Sequence, residues 1–372
     1  MLDSLFIKNF RLFKELTIQQ LKTVNLIVGK NNSGKTCLLE ALQVYASNAS
    51  PRLLYELIVE REQNWELTLK EEIQPNEEIQ PHVEHPFRYL FHGYHFPEIG
   101  TEVIEIGSFN ATDRLKLRVY PYQLTEEAGE IRRFRVSEQN LADLQLNETE
   151  LVVEREENAQ IKPIMRLDLK DFSERRYLMR RRFIDTAPRW NVQSIATRHL
   201  EIKKIAALWD YINLNPSLRE EVFNALRLID DQIQEIVFVN ATIPILIYKN
   251  SQEKLPLRSL GEGATRLFYI IIALINASNG ILLVDEIENG LHYAIQPKIW
   301  QLIFTMADQL KVQVFATTHS RDCVKSFYTA WQNYPSLGLL HRLDKYPDDN
   351  ISVMSYEYQE LADVLEVEGE VR

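Results

Sequence analysis

The sequence has almost no cysteine: Cys37 and Cys323 are the only two in 372 residues. Two isolated thiols cannot build a disulfide framework, so a reducing, cytoplasmic setting is expected. It also lacks any run of about 18 or more uncharged apolar residues, the length needed to cross a bilayer. The longest apolar block, Leu267 to Ala277, is too short, so no membrane association is expected. Nothing near the start has the form of a signal peptide; Met1 to Phe13 alternates as a strand does. There is no internal repeat and no low-complexity segment. Excess positive charge is absent too. A net charge of −11 is the opposite of what a nucleic-acid-coating protein carries, although it leaves room for a local basic groove. What is present, 45% hydrophobic and 26% charged residues, is ordinary for a folded soluble chain. The length suits one large α/β domain with an inserted subdomain.

Three stretches differ in texture. Residues 1–50 read strand, strand, loop, helix, and form the first lobe. Residues 51–190 carry charged stretches, proline-punctuated loops (Pro75, Pro81, Pro86, Pro97) and alternating runs such as Glu102 to Ile106 and Leu115 to Tyr120. That pattern predicts antiparallel strands and irregular loops inserted into a parallel-sheet domain. Residues 191–372 begin with helical periodicity, with Ile202, Ile205, Ala206 and Trp209 on one face. Apolar runs then alternate with helices at Ile236 to Val239, Ile281 to Val284 and Val312 to Thr317, the βαβ grammar of a mostly parallel central sheet. A hairpin follows, His341 to Leu343 and Ile351 to Tyr356 joined by Pro347 to Asn350, before an acidic end with Glu366, Glu368 and Glu370.

The strongest signal is Gly29-Lys30-Asn31-Asn32-Ser33-Gly34-Lys35-Thr36, which fits G-x-x-x-x-G-K-[ST]. A buried strand, Val24 to Val28, runs into it, and a helix with Leu38, Leu39, Leu42 and Tyr45 on its apolar face runs out. The glycines let the backbone wrap a phosphate, and successive N–H groups through Cys37 point at the anion. Lys35 brings a point charge to the β/γ-phosphates and Thr36 a hydroxyl to Mg²⁺. A second element, Ile281-Leu282-Leu283-Val284-Asp285-Glu286, is an apolar run ended by two carboxylates. Acids at the C-terminal end of a parallel strand sit where open α/β sheets bind ligands. Asp285 is therefore expected to hold Mg²⁺ through water, and Glu286 to act as general base on the attacking water. A third strand ends at His319-Ser320, where an imidazole could reach the γ-phosphate. Finally, Ser259-Leu260-Gly261-Glu262-Gly263 precedes an apolar helix and forms a second anion-binding helix start. One nucleotide needs one phosphate loop, so the second helix start is expected to serve a neighbouring subunit's nucleotide.

The order of these four elements resembles the ABC-type ATPases, with Asn289-Gly290-Leu291-His292 where that superfamily has its D-loop. The start Ile7-Lys8-Asn9-Phe10-Arg11-Leu12-Phe13 and the GKNNSGKT loop are similar to the RecF/SMC branch. The SLGEG signature, the DEIENGLH stretch and the THS end most resemble the ATPase module of OLD-family (overcoming lysogenisation defect) proteins. The resemblance implies an ABC-ATPase-like α/β fold with a β-rich insert and a helical subdomain. It implies an ATPase using ATP and Mg²⁺, working as a homodimer or higher oligomer. Lys35, Glu286 and His319 would be catalytic; Gly29, Asn31, Asn32, Ser33, Gly34, Lys35, Thr36, Cys37 and Arg11 would bind nucleotide. Thr36 and Asp285 would serve the metal, and Ser259, Gly261, Glu262 and Gly263 would act on the partner's nucleotide. The sequence departs from the common pattern at Leu260, which stands where the signature serine usually does, with Ser259 one residue early. No Q-loop glutamine is identifiable in the insert, and no heptad stretch supplies a coiled-coil arm.

The stretch from Ser320 to Arg372 is too short for the Toprim nuclease that OLD proteins often carry. A separate effector such as a nuclease or toxin is therefore expected, by analogy with stand-alone ATPases of anti-phage systems. The alternatives are a RecF-like ATPase of DNA repair or maintenance, a transporter's nucleotide-binding subunit, and a non-hydrolysing nucleotide sensor. Two weaker signals stay open. His82, His85, His92 and His95 could bind zinc or simply lie in loops. Arg175, Arg176, Arg180, Arg181 and Arg182 could grip a nucleic-acid backbone, or pair with nearby glutamates or an acidic partner.

Overall fold

The computed structural model describes residues 1–63, 85–111, 114–127, 130–140, 149–167, 187–196, 202–240, 243–249, 253–347 and 349–366. His82, the arginines from Arg175 to Arg182, Glu368 and Glu370 lie outside these residues. The side chain of Glu366 is likewise not described.

Two sheets enclose the first helix. The six-stranded sheet contains β3 (Val24–Gly29), β9 (Val192–Ile195), β13 (Ile281–Val284), β14 (Gln313–Thr318), β15 (Gly338–Lys345) and β16 (Ile351–Tyr356), in the order β16-β15-β3-β14-β13-β9. Every pairing in it is parallel except β15 with β16, the anticipated hairpin. Its inner strands β3, β13 and β14 are buried on both faces, as parallel strands under crossover helices must be. Val24, Leu26, Val28, Leu282, Val284, Val314 and Ala316 belong to one core cluster. Ile27, Ile281, Leu283 and Phe315, at alternate positions, belong to the other.

The second sheet is antiparallel throughout. It joins β1 (Leu5–Phe10), β2 (Phe13–Ile18), β4 (Val103–Gly107), β5 (Leu115–Glu127), β6 (Glu130–Arg135), β7 (Thr149–Glu157) and β8 (Gln160–Arg166), in the order β2-β1-β4-β5-β7-β8, with β6 on β5. The antiparallel pattern read from residues 102–120 is realised here. β1 and β2 lie before the phosphate loop in sequence, yet β1 pairs β4 through Ile7 and Ile106. The first hairpin and the insert therefore share one sheet. Helix α1 (Lys35–Ala46) fills the space between the two sheets with Leu38, Leu42 and Val44, all fully buried. Helix α2 (Pro51–Val59) continues that core through Leu54 and Ile58.

On the far side of the six-stranded sheet pack α3 (Ile202–Asn213), α4 (Pro216–Leu226), α5 (Glu262–Asn276), α6 (Gln296–Leu310) and α7 (Arg321–Trp331), with α8 (Tyr358–Glu366) against α7. Helix α5 is buried from Ala264 to Ile275, so it is a core helix and not an amphipathic one. The strand expected at Ile236–Val239 does not join the parallel sheet. It lies in β10 (Ile233–Val239), which pairs antiparallel with β11 (Ile243–Tyr248), and β11 with β12 (Lys254–Pro256). The turn at Asn240, with φ 52°, folds β10 straight back on β11, and no crossover helix intervenes.

The composite phosphate and carboxylate site

The phosphate loop follows β3 directly. Gly29 and Gly34 adopt φ of 152° and 97°, and Gly34 is the left-handed N-cap of α1 with no side-chain cap bond. At Gly29 a Cβ would meet Ser33 Oγ and the Leu343 carbonyl at 2.5 and 2.6 Å, so a side chain there would break the turn. The first N–H groups of α1 are thereby left for an anion. Ser33 Oγ is buried without a hydrogen-bond partner inside the turn. Lys35 Nζ donates to the carbonyls of Gly29 and Lys30 at 2.7 and 3.0 Å. Burial holds the Lys35 ammonium below the usual lysine range, opposed by Asp285, Glu286 and Glu288.

Parallel pairing of β13 with β14 brings the two carboxylates beside this loop. Thr36 Oγ1 donates to Asp285 Oδ2 at 3.1 Å. Thr317 Oγ1, from the end of β14, donates to Asp285 Oδ1 at 2.6 Å and accepts the Glu286 backbone N–H at 2.8 Å. A hydroxyl and a carboxylate at this separation, facing a phosphate loop, are the hard oxygen donors Mg²⁺ takes alongside nucleotide phosphates. Glu286 sits in the left-handed region (φ 48°), unusual for a side-chain-bearing residue. Its Oε2 accepts from Asn289 Nδ2 at 2.8 Å. His319 Nδ1 lies 3.8 Å from Glu286 Oε1 and 3.2 Å from Glu288 Oε1. The following residue, Ser320, caps α7 by accepting from the Cys323 N–H at 3.3 Å, which fixes where His319 stands.

A cleft of about 460 Å³ opens over these groups, lined by residues that include Asn31, Asn32, Lys35, Thr36, Asp285 and Glu286. Gly34 and Cys37 line it as well. Gly29 and Ser33 form its underlying turn. Arg11 does not line it. Its guanidinium is fully buried, 2.9 Å from Glu40 and bonded to the Leu57 carbonyl at 2.9 Å. Arg11 also has a positive φ (50°), a backbone conformation that sequence spacing alone does not reveal. Arg61 stands at the cleft instead, paired to Glu40 at 2.9 Å.

The second helix start is set apart from this chain's own cleft. Ser259, Gly261 and Glu262 are exposed at the beginning of α5, while Leu260 packs against the core. The outward serine is thus Ser259. Gly261 has φ 90°, and nothing would obstruct a Cβ there; at Gly263 a Cβ would collide with the Gly290 carbonyl. The glycine at 263 is therefore required by contact between the helix start and the Asn289–Gly290 turn. Arg266, on the same helix, is buried and donates to the carbonyls of Asp285 (2.5 Å) and Ala196 (2.9 Å).

The three described histidines of that stretch, His85, His92 and His95, each meet a different partner. His85 accepts the Phe87 N–H, His92 Nδ1 lies 3.2 Å from the Arg11 carbonyl, and His95 faces Glu102. Among the described residues no group of three or more His, Cys, Asp or Glu could hold a metal ion. Among the described residues, too, no helix is long and apolar enough to cross a membrane.

Sequence reasoning reached Lys35, Thr36, Asp285, Glu286 and His319, which the fold gathers. It missed Thr317, Glu288 and Arg61. Thr317 had a signal, being a polar residue at the end of an apolar strand beside the carboxylates.

Residues 24–322 match the family model described as "AAA domain, putative AbiEii toxin, Type IV TA system". A Helicobacter pylori protein named "ATP/GTP phosphatase" is 26% identical over 344 residues, covering 87% of each chain. Among solved structures, the SMC head domain from Thermotoga maritima is similar at TM-score 0.42 and 14% identity, with 96% of this chain and 99% of that one covered. An SMC head bound to the C-terminal winged-helix domain of ScpA is similar at TM-score 0.48 and 11% identity, with 97% and 99% covered.

Proposed function

The chain belongs to the AAA-domain family whose model it matches over residues 24–322, and from that premise we propose that it is an ATP-hydrolysing switch. Its assembly with ATP would control a separate effector protein. The observation that carries this reading is the hydrogen-bonded chain from Thr36 through Asp285 and Thr317 to the Glu286 backbone. It joins the phosphate loop, Asp285 and Glu286 in one hydrogen-bonded arrangement.

The chemistry follows from the positions. The turn of Gly29 to Gly34 and the start of α1 bind the triphosphate through backbone N–H groups. Lys35 exchanges the Gly29 and Lys30 carbonyls for phosphate oxygens. Thr36 and Asp285 would hold Mg²⁺, which would supply neutralisation of the phosphate charge. Glu286 takes a proton from the attacking water, and Asn289 holds the carboxylate in place. His319 meets the transferred phosphate from the end of β14. The exposed start of α5, with Ser259 and Gly261 outward, supports a site completed by a second copy of the chain. A family description that mentions a toxin of a toxin–antitoxin system favours a defence role in which a nuclease or toxin is the controlled effector.

The test is light scattering on a sizing column with and without Mg-ATP, beside phosphate release, for wild type and Glu286→Gln. Wild type should hydrolyse ATP. The variant should still bind it, lose about 100-fold or more in rate, and gain mass. Hydrolysis by Glu286→Gln at the wild-type rate would remove Glu286 as the base. Unchanged mass in both proteins would remove the switch.

A further inference from the structure

Glu288 is a second carboxylate of the site that the phosphate chemistry above does not use. It lies two residues past Glu286, in the turn that leads to Gly290. Its side chain is only 8% exposed, deeply placed for an acid. Burial of a carboxylate is costly unless donors meet it. One donor is the His319 backbone N–H, which donates to Glu288 Oε1 at 3.0 Å, and His319 Nδ1 stands at ion-pair distance, 3.2 Å, from the same oxygen, while Oε2 is buried without a hydrogen-bond partner. Glu286 is farther from that ring nitrogen, at 3.8 Å. The imidazole is half-exposed, so packing alone does not fix its orientation.

We propose that Glu288 is a positioning residue which clamps His319 at both its backbone N–H and its ring Nδ1. The clamp keeps the proton on Nδ1 and makes Nε2 the ring nitrogen that meets the nucleotide. A carboxylate bound to one imidazole nitrogen decides which tautomer is present and which way the ring faces. The backbone bond adds register, because it ties the end of β14 to the turn after β13. The clamp also holds Nδ1 nearer to Glu288 than to Glu286 Oε1, leaving that oxygen to the attacking water. This inference rests on the ATPase reading, but the state of the ring can be measured without ATP.

The experiment has two readouts on the full chain. Long-range ¹H–¹⁵N spectra of histidine-labelled protein, with His319 assigned by its disappearance in His319→Gln, report the tautomer of the nucleotide-free protein. Phosphate release at varied Mg-ATP reports kcat and KM. Wild type should show a proton on Nδ1. Glu288→Ala should shift His319 towards the Nε2-protonated form and lower kcat at least about tenfold, with KM changed by less than about threefold. Glu288→Gln, whose amide oxygen can still accept from the backbone N–H and face Nδ1, should restore most of each. If Glu288→Ala folds poorly, Glu288→Asp, one methylene shorter, should weaken the ring contact and move both readouts in the same direction as Ala. The proposal fails if wild-type His319 carries its proton on Nε2. It fails equally if loss of the carboxylate lowers kcat with the tautomer unchanged, or leaves kcat at the wild-type value. A wild-type protein that hydrolyses nothing would instead sink the ATPase reading, whatever the spectra show.

Discussion

Thr317 shows how much one hydroxyl can organise. It is fully buried at the end of β14, and its Oγ1 both donates to Asp285 and accepts from the Glu286 backbone. Thr317→Val keeps the shape but leaves an Asp285 oxygen and an N–H without that partner. Stability should fall by about 1–3 kcal/mol, read by chemical unfolding. The rate at saturating Mg-ATP should fall roughly tenfold or more, while ATP binding holds because the phosphate loop is untouched. A wild-type rate in this variant would mean that Asp285 and Glu286 keep their geometry without the hydroxyl. Lys35, Thr36, Asp285 and Glu286 were legible in the sequence because a local motif encodes them: each lies within a few residues of the backbone feature that explains it. Thr317, despite its position at a strand end, and Glu288 were not assigned a part, because their partners Asp285 and His319 lie 32 and 31 positions away in sequence. Arg11 was read by resemblance as a nucleotide contact; its side chain is buried in an ion pair with Glu40.

Elements were legible where periodicity met a punctuating residue. The strand–loop–helix from Val24 to Ala46 and the hairpin around Pro347 are of this kind. The error at β10 has a plain cause: a short apolar run looks the same in a parallel central strand and in an antiparallel hairpin buried on one face. Strand β9 escaped notice because Val192-Gln193-Ser194-Ile195 is half polar, which an edge strand tolerates. The join of β15 to its neighbours has a pH consequence. His341 on β15 is fully buried, with Nδ1 2.8 Å from Ser355 Oγ on β16 and Nε2 3.4 Å from Asn25 Oδ1 on β3. Burial pushes its imidazole down to about 3 from the ordinary 6.5. The folded state therefore binds fewer protons than the unfolded one between these values. Stability is complete above about pH 6.5 and declines as pH falls towards 3. Between pH 7 and pH 5 the linkage amounts to about 2 kcal/mol for this residue. His341→Gln, which keeps an amide to bond Ser355 and Asn25, should lose that much less than wild type over the same interval in urea unfolding. Equal losses in the two proteins would show that His341 takes up its proton without opening the sheet.

At the scale of the molecule, the sequence divides at residue 50 by texture but the sheets do not. The hairpin of β1 and β2 lies before the phosphate loop, and β4, from the insert, pairs its inner strand. A two-stranded hairpin is marginal alone, whereas a third strand and an apolar face stabilise it. Ile7, Ile104 and Ile106 all reach zero exposure in the core that also holds Leu38 and Leu42 of α1. The helix that carries Lys35 and Thr36 is therefore supported on one side by the insert. Joining residues 1–50 directly to 187–372 would strip apolar surface from α1 and leave β1 with an open edge, exposed to aggregation. Such a protein should lose its near-ultraviolet circular dichroism and bind no ATP. Point variants on the solvent side of β6 or β8 should retain both. If the shortened chain instead binds Mg-ATP with wild-type affinity, the six-stranded sheet supports α1 unaided. The insert would then be a removable module, and its role would have to be sought in the partner it contacts.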